Sequence, residues 1–252
     1  MNYALVGPGR MGLAVDAEAG RRGHTRVATA RGPRFGDLGG ATLAFEFSRG
    51  EAAEANVAAL IDAGLHVVCG TTGWRPSAGL LARARAADRG VIVAPNYSVG
   101  VNVFLRVCAH AAALLGRAGL HDPFVVEMHH RGKRDAPSGT ALRLARMVQE
   151  ADPRVSSIVA GHPDGRLPDG ALQVVGIRAG GEPGTHRLGY DGAYDRIVIE
   201  HASRDRAAFA VGAVLAAEWL DGRAGLHDFD ETIDDLLGGE WTSPSAADGG
   251  TT

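Results

Sequence analysis

Tyr3-Ala4-Leu5-Val6-Gly7-Pro8-Gly9-Arg10-Met11-Gly12-Leu13-Ala14-Val15 opens the chain with a short apolar strand, a glycine turn and the start of a helix. The turn fits G-x-G-x-x-G, a pattern in which small residues let a pyrophosphate approach the N–H groups at a helix N-terminus. Helical spacing then runs to Arg21-Arg22 and stops at Gly23. Residues 25–29, 41–47 and 65–69 read as further strands, and the Ala-rich stretch 50–63 reads as a helix between the last two. After Gly70-Thr71-Thr72-Gly73 comes a helix over 77–88, then Val91-Ile92-Val93-Ala94, a buried parallel strand that ends at Pro95-Asn96. Strands alternating with helices in this way predict an α/β, Rossmann-type doubly wound parallel sheet, whose ligands lie beyond the carboxyl ends of its strands.

The second strand closes on Thr29-Ala30-Arg31-Gly32-Pro33-Arg34, which lacks the carboxylate that holds an adenosine ribose 2′-OH in many such sheets. Arg31 and Arg34 are instead placed to face a 2′-phosphate, so NADPH is expected to serve at least as well as NADH.

Past a long connecting helix over 101–115 the texture changes to longer alternating runs at 172–178, 186–190 and 196–201, which suit a mixed or antiparallel sheet. The expectation is a C-terminal α+β domain. Residues 1–98, completed by 208–241, form the dinucleotide-binding domain; 99–207 form a substrate-binding and oligomerisation domain. An amphipathic helix over 209–220, with Leu215 and Trp219 available for packing, returns to the first domain. The small, polar stretch 242–252 reads as a disordered tail.

The richest stretch chemically is Glu127-Met128-His129-His130-Arg131-Gly132-Lys133-Arg134-Asp135-Ala136-Pro137-Ser138-Gly139-Thr140. It leaves a strand, Phe124-Val125-Val126, and enters a helix at Pro137-Ser138-Gly139-Thr140. Two imidazoles, an ammonium and helix N-terminal amides within fourteen residues suit an acidic small molecule. Ser138 or Thr140 also fits the plainer role of helix cap, and paired histidines the plainer role of a half-buried strand feature.

Composition narrows the classes. With 26 basic and 29 acidic side chains intermixed, for a net charge of -3, no basic surface suggests nucleic acid or an anionic membrane. Cys69 and Cys108 lack metal-ligand spacing, so neither a metal nor a disulfide is expected, and free thiols suit a reducing cytoplasm. Met1-Asn2-Tyr3-Ala4 runs straight into the first strand, which leaves no room for a secretory leader, and no apolar run is expected to span a membrane.

With these residues in view, nearly the whole chain resembles the 4-hydroxy-tetrahydrodipicolinate reductase (dihydrodipicolinate reductase) family of diaminopimelate and lysine biosynthesis. The likeness rests on Gly9-Arg10-Met11-Gly12, Gly70-Thr71-Thr72-Gly73, Ala94-Pro95-Asn96-Tyr97-Ser98-Val99-Gly100-Val101-Asn102 and the stretch from Glu127 to Thr140. Arg178-Ala179-Gly180 with Gly184-Thr185-His186, and His201-Ala202-Ser203-Arg204 leading to Phe209, complete it.

The resemblance implies an NAD(P)H-dependent reduction of the dehydrated ring to tetrahydrodipicolinate, with hydride to C4. It implies cofactor contacts at Gly7, Gly9, Arg10, Met11 and Gly12, at Gly70, Thr71 and Thr72, and at Ala94, Pro95, Asn96 and Tyr97. It puts the acid/base pair on His129 and Lys133 and the substrate dicarboxylate on His130, Ser138, Gly139 and Thr140. A cytoplasmic homotetramer joined through the second sheet is also implied.

Departures from the family pattern are a first turn one residue shorter than usual, Pro8 without an N–H to donate, Gly132 where histidine is common, and Glu46 where aspartate is usual. Two other classes stay in view: an aldehyde dehydrogenase of the aspartate pathway, which needs an activated cysteine, and a nucleotide-sensing regulator without chemistry.

Overall fold

The computed structural model describes residues 1–32 and 35–239. Arg34 and the expected tail at 242–252 lie outside them.

The opening pattern forms β1 (Asn2–Val6), α1 (Arg10–Arg21) and β2 (Thr25–Ala30), followed by β3 (Leu43–Glu46), α2 (Gly50–Asp62), β4 (His66–Cys69), α3 (Ala78–Ala86) and β5 (Gly90–Val93). Strands β1, β3, β4 and β5 are short and apolar because both faces are covered, whereas β2 lies at the sheet edge and buries no residue fully. One face packs Tyr3, Leu5, Phe45, Val68 and Ile92, the other Ala4, Val6, Ala44, Val67 and Val91. The sheet runs β2-β1-β3-β4-β5 and ends on a last short strand, β11 (Gly225–His227), all parallel. Strand order reverses between β1 and β3, which makes the carboxyl ends of these two strands the switch point where such sheets take ligands.

The chain divides into two compact units, one built from Met1–Val99 and the stretch that begins at Arg206, the other from Gly100–Asp205. In the first unit, α6 (Ala207–Trp219) packs beside α1, and β11 (Gly225–His227) and α7 (Phe229–Leu236) follow it. Expected to be amphipathic, α6 instead buries Ala210, Gly212, Ala213, Val214, Ala216 and Ala217, which spread around most of its circumference. It lies against the sheet core with Tyr97, Phe229 and Ile233 in the same cluster, so it has little face left for water.

The second unit contains α4 (Val99–Ala118), β6 (His121–His129), α5 (Gly139–Ala151), β7 (Ser157–Ala160), β8 (Ala171–Arg178), β9 (Thr185–Gly192) and β10 (Arg196–Ala202). The sheet order is β10-β9-β6-β8-β7, antiparallel on the β9 side of β6 and parallel on the β8 side. Helices α4 and α5 cover one face, packing Phe104, Leu105, Cys108, Leu144 and Val148 against Val125, Leu172, Val174, Leu188 and Tyr190.

Contrary to the expectation from sequence, α4 is long and apolar enough in composition to cross a membrane. Its apolar residues Val101, Phe104, Leu105, Cys108, Ala112 and Ala113 are what the core of this unit is made of.

Candidate active site

Side chains alternate across a strand, so residues 125, 127 and 129 of β6 face one side. At Val125 that side is the apolar core; two residues later it carries Glu127, and at the strand end His129. The neighbouring strands make the same change at the same edge. Register sets Gly176 of β8 and His186 of β9 beside Glu127, Arg178 beside His129, and His201 of β10 beside His186. An apolar sheet face therefore ends in a polar patch made by four strands.

Glu127 is fully buried and both its oxygens are engaged. Oε2 meets His129 Nδ1; Oε1 accepts from Arg178 Nη2 at 2.7 Å and from the Ser138 amide at 3.1 Å. Burial pushes the Glu127 carboxyl up, but the hydrogen bonds and positive charge from His129 and Arg178 outweigh it and hold the group below the ordinary carboxylate range. Gly176 makes the room: a Cβ there would stand 2.6 Å from Glu127 Oε1.

His186 lies edge-on to His129, with ring centroids 5.1 Å apart, and its Nε2 pairs with Ser138 Oγ at 3.2 Å. Burial first, and then the neighbouring His129, push its pKa down to about 4, so it is neutral at neutral pH.

Ser138 is the N-cap of α5, its Oγ accepting the Ala141 amide at 3.2 Å. Only 2% of Ser138 is exposed, and its hydroxyl sits inside the fold between the helix start and His186. Gly139, exposed, and Thr140, half-buried, open α5, which carries no acidic side chain in its first turn. Lys133 lies 2.8 Å from Asp135, and this ammonium, with the backbone amides of Asp135 and Gly139, holds the Asp135 carboxyl low against the opposing effect of burial. His130 is half-buried beside Gly132.

In the first unit, the turns singled out in the sequence all follow strand carboxyl ends: Gly7 to Gly12 after β1, Gly70 to Thr72 after β4, and Ala94 to Tyr97 after β5. Gly7 has φ of 82°, and a Cβ on Gly12 would stand 2.3 Å from the Gly7 carbonyl, so the turn closes only with glycine at both places. Gly9, the N-cap of α1, makes no side-chain cap, and a Cβ there would meet nothing within 4 Å. Arg10, Met11 and Gly12 thus present a helix start with no acidic side chain in its first turn, a cradle that fits a phosphate.

Thr71 Oγ1 is buried without a partner among the described residues, at the end of β4 where a ligand amide or ribose would supply one. Asn96 accepts the Ser98 amide, and Pro95 is exposed. Tyr97 differs from its expected place at the cofactor: 2% exposed, it donates its hydroxyl to the Cys69 carbonyl at 2.9 Å and packs edge-on against Phe229, so its side chain is core. Arg31 is exposed just past β2.

Glu46, at the end of β3, is buried and accepts from Ser48, from Asn56 at 2.9 Å and from Cys69 at 3.2 Å. Both cysteines are free and buried. Burial raises Cys69 far above the usual thiol range and pushes Cys108 up to about 12, so neither is the activated thiolate that an aldehyde dehydrogenase requires.

Family models named for the dihydrodipicolinate reductase C-terminus and N-terminus match residues 100–233 and 36–97. The chain belongs to the dihydrodipicolinate reductase family. It is 36% identical over 231 residues to the 4-hydroxy-tetrahydrodipicolinate reductase of Myxococcus xanthus, covering 86% of this chain and 83% of that one. It is 32% identical over 244 residues to the enzyme of the same name from Christiangramia forsetii, covering 94% and 99%. A dipicolinate-bound dihydrodipicolinate reductase from Paenisporosarcina sp. TG-14 shares the fold, with a TM-score of 0.73 at 21% identity over 90% of this chain and 97% of that one.

The family match accounts for a nucleotide-binding first unit of the pyridine-nucleotide dehydrogenase kind. Its N-terminal model begins at residue 36, after the shortened glycine turn, whose fit to a phosphate therefore rests on the geometry above.

Sequence reading had singled out His129, His130 and Lys133 but gave no role to Glu127, Arg178 or His186. For Glu127 the signal was present: Glu-x-His on a strand puts both side chains on one face. Arg178 and His186 enter through strand register, which no local pattern carries.

Proposed function

We propose that this chain is an NAD(P)H-dependent 4-hydroxy-tetrahydrodipicolinate reductase of diaminopimelate and lysine biosynthesis, reducing the dehydrated ring to tetrahydrodipicolinate. The observation that carries this reading is the polar strand edge in which Glu127 grips His129, followed in the chain by the loop of Lys133 and the helix start at Gly139 and Thr140. A regulator that had lost its chemistry has no use for a buried carboxylate held against an imidazole by an arginine.

Reduced nicotinamide, when bound, supplies the hydride that reaches C4. The amides of Arg10, Met11 and Gly12 would hold its pyrophosphate; Thr71, Thr72 and the turn from Ala94 to Asn96 would serve the nicotinamide end. What the protein's own side chains must then do is grip two carboxylates and deliver one proton.

Lys133, His130 and the amides of Gly139 and Thr140 grip the dicarboxylate, each offsetting the cost of taking an anion out of water. In this role the substrate carboxylate shares Lys133 with Asp135. His129, with Lys133 as the second member of the acid/base pair, returns the proton to the enamine carbon that hydride addition leaves behind, a task suited to an imidazole, which can both hold and release a proton.

For the cofactor, Arg31 on the β2 exit, with Arg34 next along, favours NADPH at least equally with NADH. Exposed Ile177, Ile197 and Val198 on the second sheet support a homotetramer joined through that sheet. The enzyme would work in the cytoplasm.

The test is NADPH and NADH oxidation measured with freshly made product of dihydrodipicolinate synthase. Cofactor consumption matching the substrate supplied supports the proposal; no consumption with either cofactor overturns it.

A further inference from the structure

Glu127 stands outside the residues that grip substrate, yet it is buried, charged and in contact with His129. We propose that Glu127 is a positioning residue for proton delivery: it holds the Nδ1 proton of His129, so that Nε2 is the atom that exchanges a proton with substrate, and Arg178 keeps Glu127 ionised for this task. The inference rests on the reading of His129 as the proton donor.

Several features agree. Glu127 Oε2 meets Nδ1, and its other oxygen is taken by Arg178 Nη2 at 2.7 Å and the Ser138 amide at 3.1 Å, so the carboxylate has one orientation. His129 Nε2 has no hydrogen-bond partner among the described residues. Gly184 flanks that nitrogen, and a Cβ there would come within 2.8 Å of it, so glycine keeps Nε2 clear. When the imidazolium donates, the Nε2–H bond breaks as the C–H bond forms on the enamine carbon. Its electrons return to the ring, and Nδ1–H stays on Glu127. Solvent then restores the Nε2 proton.

The groups around His129 are Glu127 on its own strand, Arg178 paired with it on β8, His186 edge-on from β9 with His201 behind it, and Ser138 at the α5 start; Lys133 and Asp135 pair with each other in the following loop, and the Lys133 charge is felt at His186. Among the described residues Glu127 is the one carboxylate paired with the ring, and buried His186 adds no cation of its own. Ligand atoms of Glu127, His129 and His186 lie within 4.8 Å of one another, a spacing that would also suit a metal ion. The Arg178 guanidinium on Glu127 opposes a cation there and favours the proton-holding role.

Glu127→Gln keeps the size and an acceptor while removing the charge. The expected result is a kcat at least tenfold lower with KM for substrate and cofactor within twofold of wild type. The alkaline limb of the kcat/KM profile should move to lower pH, because imidazolium loses its counter-charge. An alkaline limb that stays at the wild-type position overturns the inference, since a merely structural glutamate would leave it there.

¹⁵N-histidine spectra of the wild-type protein, with His129→Gln for assignment, give a second reading that does not depend on the variant folding. Neutral His129 should be the Nδ1–H tautomer, and an Nε2–H tautomer overturns the inference. Wild-type turnover in His129→Gln would instead remove the donor assignment itself, so the two failures are distinguishable.

Discussion

Glu127 and His129, two residues apart on β6, face the same side of the sheet and meet through Oε2 and Nδ1. That contact joins the His129 imidazole to Arg178, to the α5 cap at Ser138 and, through Gly176, to the absence of a side chain on the neighbouring strand.

Removing the proton donor and the ammonium should separate chemistry from folding. Lys133→Ala is expected to lose most turnover, about 10²-fold, and His129→Ala a large part of it, on the scale of acid/base catalysis. Circular dichroism and thermal melting should match wild type for Lys133→Ala, whose side chain is partly exposed. Near-normal kinetics in both variants would contradict the assignment.

Gly176→Ala puts a Cβ 2.6 Å from Glu127 Oε1, a fully buried and fully engaged carboxylate oxygen. The carboxylate must shift, at a cost of about 1–3 kcal/mol in stability. The expected outcome is a lower urea midpoint together with a kcat drop of at least tenfold. A stable variant of normal kcat would show that Glu127 tolerates displacement.

The pKa of His186, pushed down to about 4, ties stability to pH. Above the unfolded value of about 6.5 both states are neutral and nothing is lost. As pH falls below it, the unfolded chain takes up a proton that folded His186 refuses until about pH 4, so stability drains across that window by on the order of 3 kcal/mol. His201, lowered by burial, adds to the same trend. Urea unfolding of His186→Gln between pH 7 and 4.5 should show a flatter dependence than wild type; parallel curves would refute it.

Arg31→Ala should raise KM for NADPH roughly fivefold while leaving KM for NADH within twofold, since an exposed arginine gains only modestly from a phosphate. Equal changes for both cofactors would remove Arg31 from 2′-phosphate recognition.

Local patterns made much of this architecture legible. Tyr3 to Gly12 carries strand, turn and helix start in ten residues, and the turns at Gly70 and Ala94 follow strands whose apolar runs announce burial on two faces. Where recognition depends on distant partners, reading failed. β11 is three residues long and exists only because β5 offers it an edge, and β7 depends in the same way on β8. α7 was missed although Asp228 and Glu231 form a capping box, a signature visible in sequence.

At the site, His129, His130 and Lys133 stood out by residue type. Tyr97 reads in sequence as a cofactor contact, yet its side chain fills the core; for Ser138 the cap is legible beside the substrate reading, but its pairing with His186 is not, because burial and distant hydrogen-bond partners do not show in a linear motif. The apolar length of α4 was undervalued, since Asn102, Arg106 and His110 interrupt it on paper while its buried face builds a core.

The most direct measurement is transfer of label from NADPH carrying deuterium at both nicotinamide C4 positions, with the freshly formed synthase product as acceptor. The account predicts one deuterium at C4 of tetrahydrodipicolinate for each cofactor oxidised in wild type, with the rate of transfer strongly reduced in Lys133→Ala. Oxidation without label in the ring, or full-rate transfer in that variant, would contradict it.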